Sequence, residues 1–338
     1  MITKHPIFTM LVGLPGSGKS TYAEALSGQT GAVVVSPDAI REELYGSAEI
    51  QGNKNKVFRL VHERIRKGLA SGRDVILDAT NVSSKKRKNM LLNIKEIECQ
   101  KNCVVLVTPF EECLKNNANR KRTVSVGDMV RMLKSWETPY WFEGWDRIQL
   151  QGFCPSKSVS DWLQKYENYE QNTPWHIHTL SNHCISVLKY VESCVNEESA
   201  LADALKYAAI LHDNGKPECQ SLDEDKNIYH FYKHENVGAY RVFEYMLPDH
   251  ISPLDVSIMT NLHMRPRFFK DGGTKAKQDW GETLYDAVSV LNQGDEKTNN
   301  IVVTPKDFRN TIDWIAEGAK KYGISQNRSD GYDEKELF

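Results

Sequence analysis

Long apolar runs are missing from this 338-residue sequence; none approaches the roughly 20 residues that a membrane-spanning helix needs. Its first residues, Met1-Ile-Thr-Lys-His-Pro, also lack the charged start, apolar stretch and small-residue cleavage site of a secretory signal. The seven cysteines include no C-x-x-C pair, which argues against a disulfide framework and fits thiols packed in a reducing compartment. Neither sign of charge dominates. The formal net charge is −2, so no global field draws the chain to nucleic acid, and any such binding must use local basic patches. Repeats and low-complexity segments are absent too. The expectation is a soluble, cytoplasmic protein without membrane contact, long enough for two domains that each bury a core.

What is present is most concentrated at residues 9–21, Thr-Met-Leu-Val-Gly-Leu-Pro-Gly-Ser-Gly-Lys-Ser-Thr. A short apolar strand runs into a glycine-rich turn and then a helix-forming stretch. Gly13, Gly18, Lys19 and Ser20 satisfy the phosphate-binding pattern G-x-x-x-x-G-K-[ST]. Glycines, Gly16 among them, let backbone N–H groups close around phosphate oxygens, and the helix N-terminus adds positive partial charge. Lys19 is placed for the β- and γ-phosphates and Ser20 for Mg²⁺, with Ser17 and Thr21 completing the loop. ATP or another nucleoside triphosphate, with Mg²⁺, is the expected ligand.

Apolar runs at 31–37, 74–80 and 103–108 alternate with helical patterns at 53–69, 84–97 and 110–119. This alternation predicts an α/β domain with a parallel sheet and helices on both faces. Ligands of such sheets sit at the carboxyl ends of the strands, where Asp38, Asp78 and the glycine-rich loop would converge. Asp38 is either a base that takes a proton from an attacking hydroxyl or a helix N-cap after Pro37. Arg41, one turn on, is either a phosphate fork or a solvated helix residue. Asp78 ends a strand where a Mg²⁺-shell carboxylate belongs, and Asn81 and Arg87 follow it. Arg120-Lys-Arg122 precedes a helical stretch at 126–136, either as a lid over the triphosphate or as a surface charge run.

These residues carry a resemblance. The loop motif, Ser36-x-Asp38-x-x-Arg41, Ile76-Leu-Asp-Ala-Thr-Asn81 and the Arg120/Arg122 segment are similar to the polynucleotide 5′-kinase family over roughly residues 5–150. The resemblance implies that Asp38 activates a 5′-OH, that Arg41 grips the acceptor's phosphate, and that Arg120 or Arg122 contacts the ATP phosphates. Residues 139–175 are rich in aromatics (Tyr140, Trp145, Phe153, Trp162 and Trp175 among them), too apolar for a free linker. They read as a closing strand at 147–151, a base-stacking patch and a connecting helix.

From Thr179 onward the apolar period is helical, predicting an all-α domain, with Thr304-Pro305 opening its last helix. His183, the pair His212-Asp213, His234, His263 and Asp295 each fall on a different helix. Each alone reads as an ordinary core or surface residue, but one metal can partner several buried imidazoles and carboxylates at once. The order H…HD…H…H…D resembles the HD-domain metal-dependent phosphohydrolases. That resemblance implies one divalent transition metal (Mn, Co, Ni, Cu, Fe or Zn) on His183, His212, Asp213 and Asp295, and a second completed by His234 and His263. His176 and His178 stay outside the set. Lys216 is placed for a phosphate oxygen, or is a helix-terminal charge. Arg265-Pro-Arg-Phe-Phe-Lys270 interleaves basic and aromatic residues, as a grip on a strand end or as a surface loop. Asn299 stands where that family usually carries an arginine.

Together the halves look like the bacterial and phage HD-domain phosphatase–polynucleotide kinases. The implied division is a polynucleotide kinase domain at 1–155, a connecting segment at 156–172, an HD phosphohydrolase domain at 173–325 and a polar tail at 326–338. The implied activity is healing of RNA ends, or DNA ends, carrying a 5′-OH. Phosphate is added there, a 2′,3′-cyclic phosphate is removed from the other end, and a separate RNA ligase seals them. The alternative is a small-molecule or nucleoside kinase joined to an HD nucleotidase.

Overall fold

The computed structural model describes residues 5–120, 122–174 and 177–324; Trp175, His176, the tail at 326–338 and the side chain of Asn299 lie outside the described residues. Five strands, β1 (Ile7–Val12), β2 (Val33–Val35), β3 (Val75–Leu77), β4 (Gln100–Leu106) and β5 (Arg147–Gln151), form one parallel sheet in the order β2-β3-β1-β4-β5. Helices α1 (Lys19–Thr30), α2 (Pro37–Tyr45), α3 (Lys54–Ala70), α4 (Ser84–Asn93), α5 (Phe110–Ala118) and α6 (Val126–Leu133) connect them or follow. The central β1 buries Phe8, Met10, Leu11 and Val12 on both faces, which is why its sequence is apolar throughout instead of alternating. Because Met10 is in register with both Leu77 and Cys103, the loops leaving β1, β3 and β4 emerge on one edge.

Local chemistry fixes where the helices of this edge begin. Gly18, at φ 87°, lets the chain turn from loop into α1. Ser36 caps α2 by accepting the Asp38 N–H at 3.2 Å, with Pro37 in the first turn. Capping is therefore the work of Ser36, which leaves the Asp38 carboxylate free of that duty.

Arg87, on α4 downstream of Asp78, is fully buried. Its Nε and Nη2 donate to the two Glu143 carboxylate oxygens at 2.7 and 2.6 Å, and Trp145 Nε1 donates to Glu143 at 2.9 Å. Truncating either partner strands a charge in the core. Glu143→Ala is expected to destabilise this unit by about 3 kcal/mol, read as a lowered urea midpoint; a midpoint unchanged from wild type would show the pair to be dispensable.

The described residues divide into two units: one holds residues 5–132 with Pro139–Phe153, the other Leu133–Thr138 with residues 154–324. The expected continuous first domain is thus interrupted. Helix α6 stops at Leu133 instead of 136, and the next residues join the second unit's core. Trp136 packs edge-on against Tyr240 at 4.8 Å, and the Thr138 N–H donates to Asn261 at 3.2 Å. The base-stacking patch read at 139–175 is corrected at four of its rings. Tyr140, Trp145, Phe153 and Trp162 are buried, so these rings are core, whereas Trp141, Phe142, Tyr166 and Tyr169 are half-buried and Trp175 lies outside the described residues.

The second unit carries α7 (Val159–Lys165), α8 (Leu180–Cys194), α9 (Ala202–Leu211), α10 (Lys216–Cys219), α11 (His234–Val242), α12 (Pro253–Leu262), α13 (Thr274–Trp280), α14 (Glu282–Lys297) and α15 (Pro305–Tyr322). Helices α8, α9 and α12 are buried along most of their length and form its centre. Thr304 and Asp307 close a reciprocal capping box on α15, as the Thr-Pro start predicts. The all-α expectation misses one feature, an antiparallel hairpin of β6 (Ser221–Asp223) and β7 (Ile228–His230). Three-residue strands are too short to show a period of two, and the turn residue Asn227, at φ 51°, is the remaining signal. Among the described residues no helix is long and apolar enough to cross a membrane.

Candidate active sites

The glycine-rich loop is braced from three sides. The Gly13 N–H donates to Thr80 O (3.0 Å), Asn116 Nδ2 to Gly16 O (3.0 Å), and Thr108 Oγ1 to Ser17 O (3.1 Å). Gly16 lies at φ 81°, and a Cβ there would stand 2.2 Å from Cys113 O, so only glycine fits. Lys19 folds back over the loop, its Nζ donating to Leu14 O at 2.7 Å. Burial lowers its pKa to about 8, against the opposing pull of the Asp78 carboxylate. A phosphate would supply the counter-charge that burial removes. Ser20 Oγ donates to Asp78 Oδ2 at 2.8 Å, joining the hydroxyl and carboxylate expected around Mg²⁺; Thr21 is exposed on α1.

Asp38, just past β2, is clasped by two guanidinium groups. Arg41 Nη1 meets Oδ1 at 2.5 Å, and Arg122 Nη1 meets Oδ2 at 2.7 Å. Arg41 is buried, so the solvated-residue alternative does not hold. The two lid-segment arginines differ in what they face: Arg122 is on Asp38, whereas the charge of exposed Arg120 acts on Lys19. Asn116 and Thr108 were invisible to sequence reasoning because neither belongs to the motif they brace.

In the second unit six side chains from five helices converge. His183 lies within α8, His212-Asp213 just past α9, His234 at the start of α11, His263 just past α12 and Asp295 within α14. All are buried. His183, His212, Asp213 and Asp295 form one group of candidate ligand atoms, all within 4.8 Å of one another; Asp213, His234 and His263 form a second. Asp213 belongs to both. Its Oδ2 lies 3.3 Å from His183 Nε2 and from His212 Nε2, and its Oδ1 lies 3.2 Å from His234 Nε2.

The donor set fits metal ions. The Nδ1 atoms of His212, His234 and His263 lie 2.9, 2.8 and 2.7 Å from the carbonyls of Ala209, Phe231 and Thr260. A carbonyl only accepts, so each Nδ1 carries the proton and each neutral ring turns its Nε2 lone pair inward. Nε2 atoms then meet in pairs at 3.3 Å, His212 with His183 and His234 with His263. The inward lone pairs of His234 and His263 repel unless a cation or a proton lies between them. With protons as the sole cations, His212, His263, Asp213 and Asp295 settle unevenly. Burial opposes charge on His212, but Asp213 and Asp295 outweigh it and raise its pKa to about 10; burial and the neighbouring imidazoles lower His263 to about 3. Burial also works against ionised Asp213 and Asp295, yet both are held well below the usual carboxylate range, Asp213 chiefly by the charges of His212 and Lys216 and Asp295 by hydrogen bonds from His183 and His212. Divalent cations would stabilise the two carboxylates and the inward nitrogens together.

Lys216 is buried at the start of α10, with Nζ 2.6 Å from Asp213 Oδ2 and 2.7 Å from Gln171 Oε1, so it is not a helix-terminal surface charge. His178 is in neither ligand group. Sequence reasoning passed over Gln171, a buried glutamine whose contact with Lys216 spans 45 positions.

Residues 8–139 match the family model described as an AAA domain, and residues 180–284 match the HD domain model. The L-seryl-tRNA(Sec) kinase of Methanococcus maripaludis is 26% identical over 147 residues, which cover 40% of this chain and 55% of that protein. The chain thus spans little more than half the length of this curated relative. Among solved structures, a chain of the Pnkp1/Rnl/Hen1 RNA repair complex is 24% identical at a TM-score of 0.35, over 39% of this chain and 45% of that one. Kti12 of Chaetomium thermophilum in complex with ADP-AlF3 is 18% identical at a TM-score of 0.37, over 44% and 91%. The chain joins a nucleotide kinase-like P-loop domain to an HD phosphohydrolase domain.

Proposed function

We propose that this chain heals broken RNA by phosphorylating 5′-OH ends and by removing 2′,3′-cyclic phosphate, or a 2′- or 3′-phosphate, from 3′ ends. The observation that carries the reading is Asp38 between Arg41 and Arg122 at the edge of the P-loop sheet. A lone carboxylate suits any hydroxyl acceptor. Two flanking guanidiniums suit a hydroxyl that has a phosphodiester beside it, as the 5′-OH of a polynucleotide does.

In the kinase reaction Asp38 accepts the 5′-OH proton while that oxygen attacks the γ-phosphorus. The bond to the β–γ bridging oxygen breaks, and ADP leaves. Lys19 and Arg120 offset charge on the triphosphate; Arg41 and Arg122 orient the acceptor. Ser20 and Asp78 would hold Mg²⁺, which draws charge from the phosphate oxygens.

At the HD site, His183, His212, Asp213 and Asp295 would hold one divalent transition metal, and Asp213, His234 and His263 a second, supplying Lewis-acid chemistry and an activated water. Lys216 fixes Asp213 between the two groups. One water opens the cyclic phosphate to a monoester, and a second releases inorganic phosphate to leave a 2′,3′-diol.

The test offers the protein RNA with a 2′,3′-cyclic phosphate and a panel of divalent metals, and separately 5′-OH RNA with labelled ATP beside free nucleosides. A diol product and label transfer to RNA are expected. Label transfer to nucleosides alone, with the cyclic end intact under every metal, would replace this reading with a small-molecule kinase joined to a nucleotidase. The curated relative is named for a tRNA-borne acceptor, so seryl-tRNA belongs among the acceptors compared.

A further inference from the structure

Arg267 lies in the Arg265-to-Lys270 run, in a short turn at Pro266–Phe268. Its Nη2 donates to Asp295 Oδ2 at 2.5 Å, and its Nε lies 3.1 Å from Glu296 Oε1. The other oxygen of Asp295 lies 3.1 Å from His183 Nε2. This guanidinium therefore pairs directly with one carboxylate of the candidate metal-ligand set. The neighbours of Arg267 hold the turn in place: Arg265 pairs with Glu137 at 2.8 Å, and Phe269 packs on Trp280 at 5.6 Å.

Each carboxylate of the ligand set is thus covered by one cation, Asp213 by Lys216 and Asp295 by Arg267. The two cations differ in access. The Lys216 side chain is 4% exposed, whereas that of Arg267 is 32% exposed. With the Nε/Nη2 edge of Arg267 held by Asp295 and Glu296, its plane is fixed, and Nη1 has no partner among the described residues. A guanidinium that only oriented Asp295 would need no open N–H groups toward solvent. One that meets an incoming phosphate needs both a fixed plane and unspent donors.

We infer that Arg267 is the group that contacts the substrate phosphate at the HD site, anchored for that role by Asp295 and Glu296. The inference rests on the phosphohydrolase reading above. Its test uses the metal-loaded full chain and its Arg267→Ala and Arg267→Lys variants. Metal per chain, affinity for inorganic phosphate by isothermal titration, and kcat/KM on cyclic-ended RNA are measured for each. Arg267→Ala should keep its metal, bind phosphate about 10-fold more weakly, and lose about 100-fold in kcat/KM. Arg267→Lys should recover part of both, because a lysine supplies charge without the fork. Unchanged phosphate affinity in Arg267→Ala would overturn the inference. So would a loss of metal that accounts for the whole loss of activity, since Arg267 would then merely prop Asp295. If the wild-type chain hydrolyses no phosphate ester yet binds phosphate through Arg267, the phosphohydrolase reading fails while the phosphate site stands.

Discussion

Asp213→Asn should strip the second unit of its divalent metal and lower phosphohydrolase activity by about 10³-fold or more, while kinase activity stays at the wild-type level. The size follows from the position of Asp213. It is the one residue shared by both candidate ligand groups, with an oxygen turned to each. Asparagine keeps the volume but offers one neutral oxygen, so both groups lose their common ligand. The substitution also leaves Lys216, buried 2.6 Å from Asp213 Oδ2, without its anionic partner, and some stability should be lost with it. Destabilisation and ligand loss are separated by His234→Ala, which touches only the second group. Metal analysis should find about half the wild-type metal in that variant and almost none in Asp213→Asn, with both chains folded by circular dichroism. Full metal content in Asp213→Asn would sink the shared-ligand reading. Equal loss in both variants would mean a single site that depends on all six residues.

Which residues gather at the two candidate sites was largely legible in the sequence, because such residue types in such patterns serve few other roles. The P-loop is contiguous, and its glycines answer to the backbone geometry at Gly16 and Gly18, both at positive φ. The six histidines and aspartates of the second unit are spread over more than a hundred positions, yet their order shows because five helices must each deliver a ligand to one point. The misreadings share a cause. Tyr140 and Trp145 read as stacking surfaces because a buried ring and a base-binding ring are the same letter. The role of Arg87 had no sign in the sequence because its partner, Glu143, lies 56 positions away. The tie from Arg267 to Asp295, across 28 positions, has no local sign at all. Residues 133–138 fall in the second unit through Trp136 and Thr138, which no composition change marks.

Asp38→Asn should reduce the kinase kcat by about 10³-fold and leave the KM for ATP near its wild-type value. The ATP side of the site is built from Lys19, Ser20, Asp78 and the braced loop, whose hydrogen bonds run to Leu14, to one another and to Asn116 instead of to Asp38. Asparagine is isosteric and can still accept hydrogen bonds from Arg41 and Arg122 through its one oxygen. What it lacks is the charge needed to take a proton from the attacking hydroxyl. A base and a holder of arginines therefore predict different kinetics. If Asp38 is the base, kcat collapses and the KM for RNA changes little, because Arg41 and Arg122 remain to bind the acceptor. If Asp38 only positions the two guanidiniums, the KM for RNA rises and kcat survives. Arg41→Ala supplies the converse: KM for RNA should rise by about tenfold, with a smaller fall in kcat, because a charge-assisted contact to the acceptor phosphate is lost while the base remains. A kcat for Asp38→Asn within tenfold of wild type, whatever its KM, would move the proton to another acceptor and remove Asp38 from the chemistry.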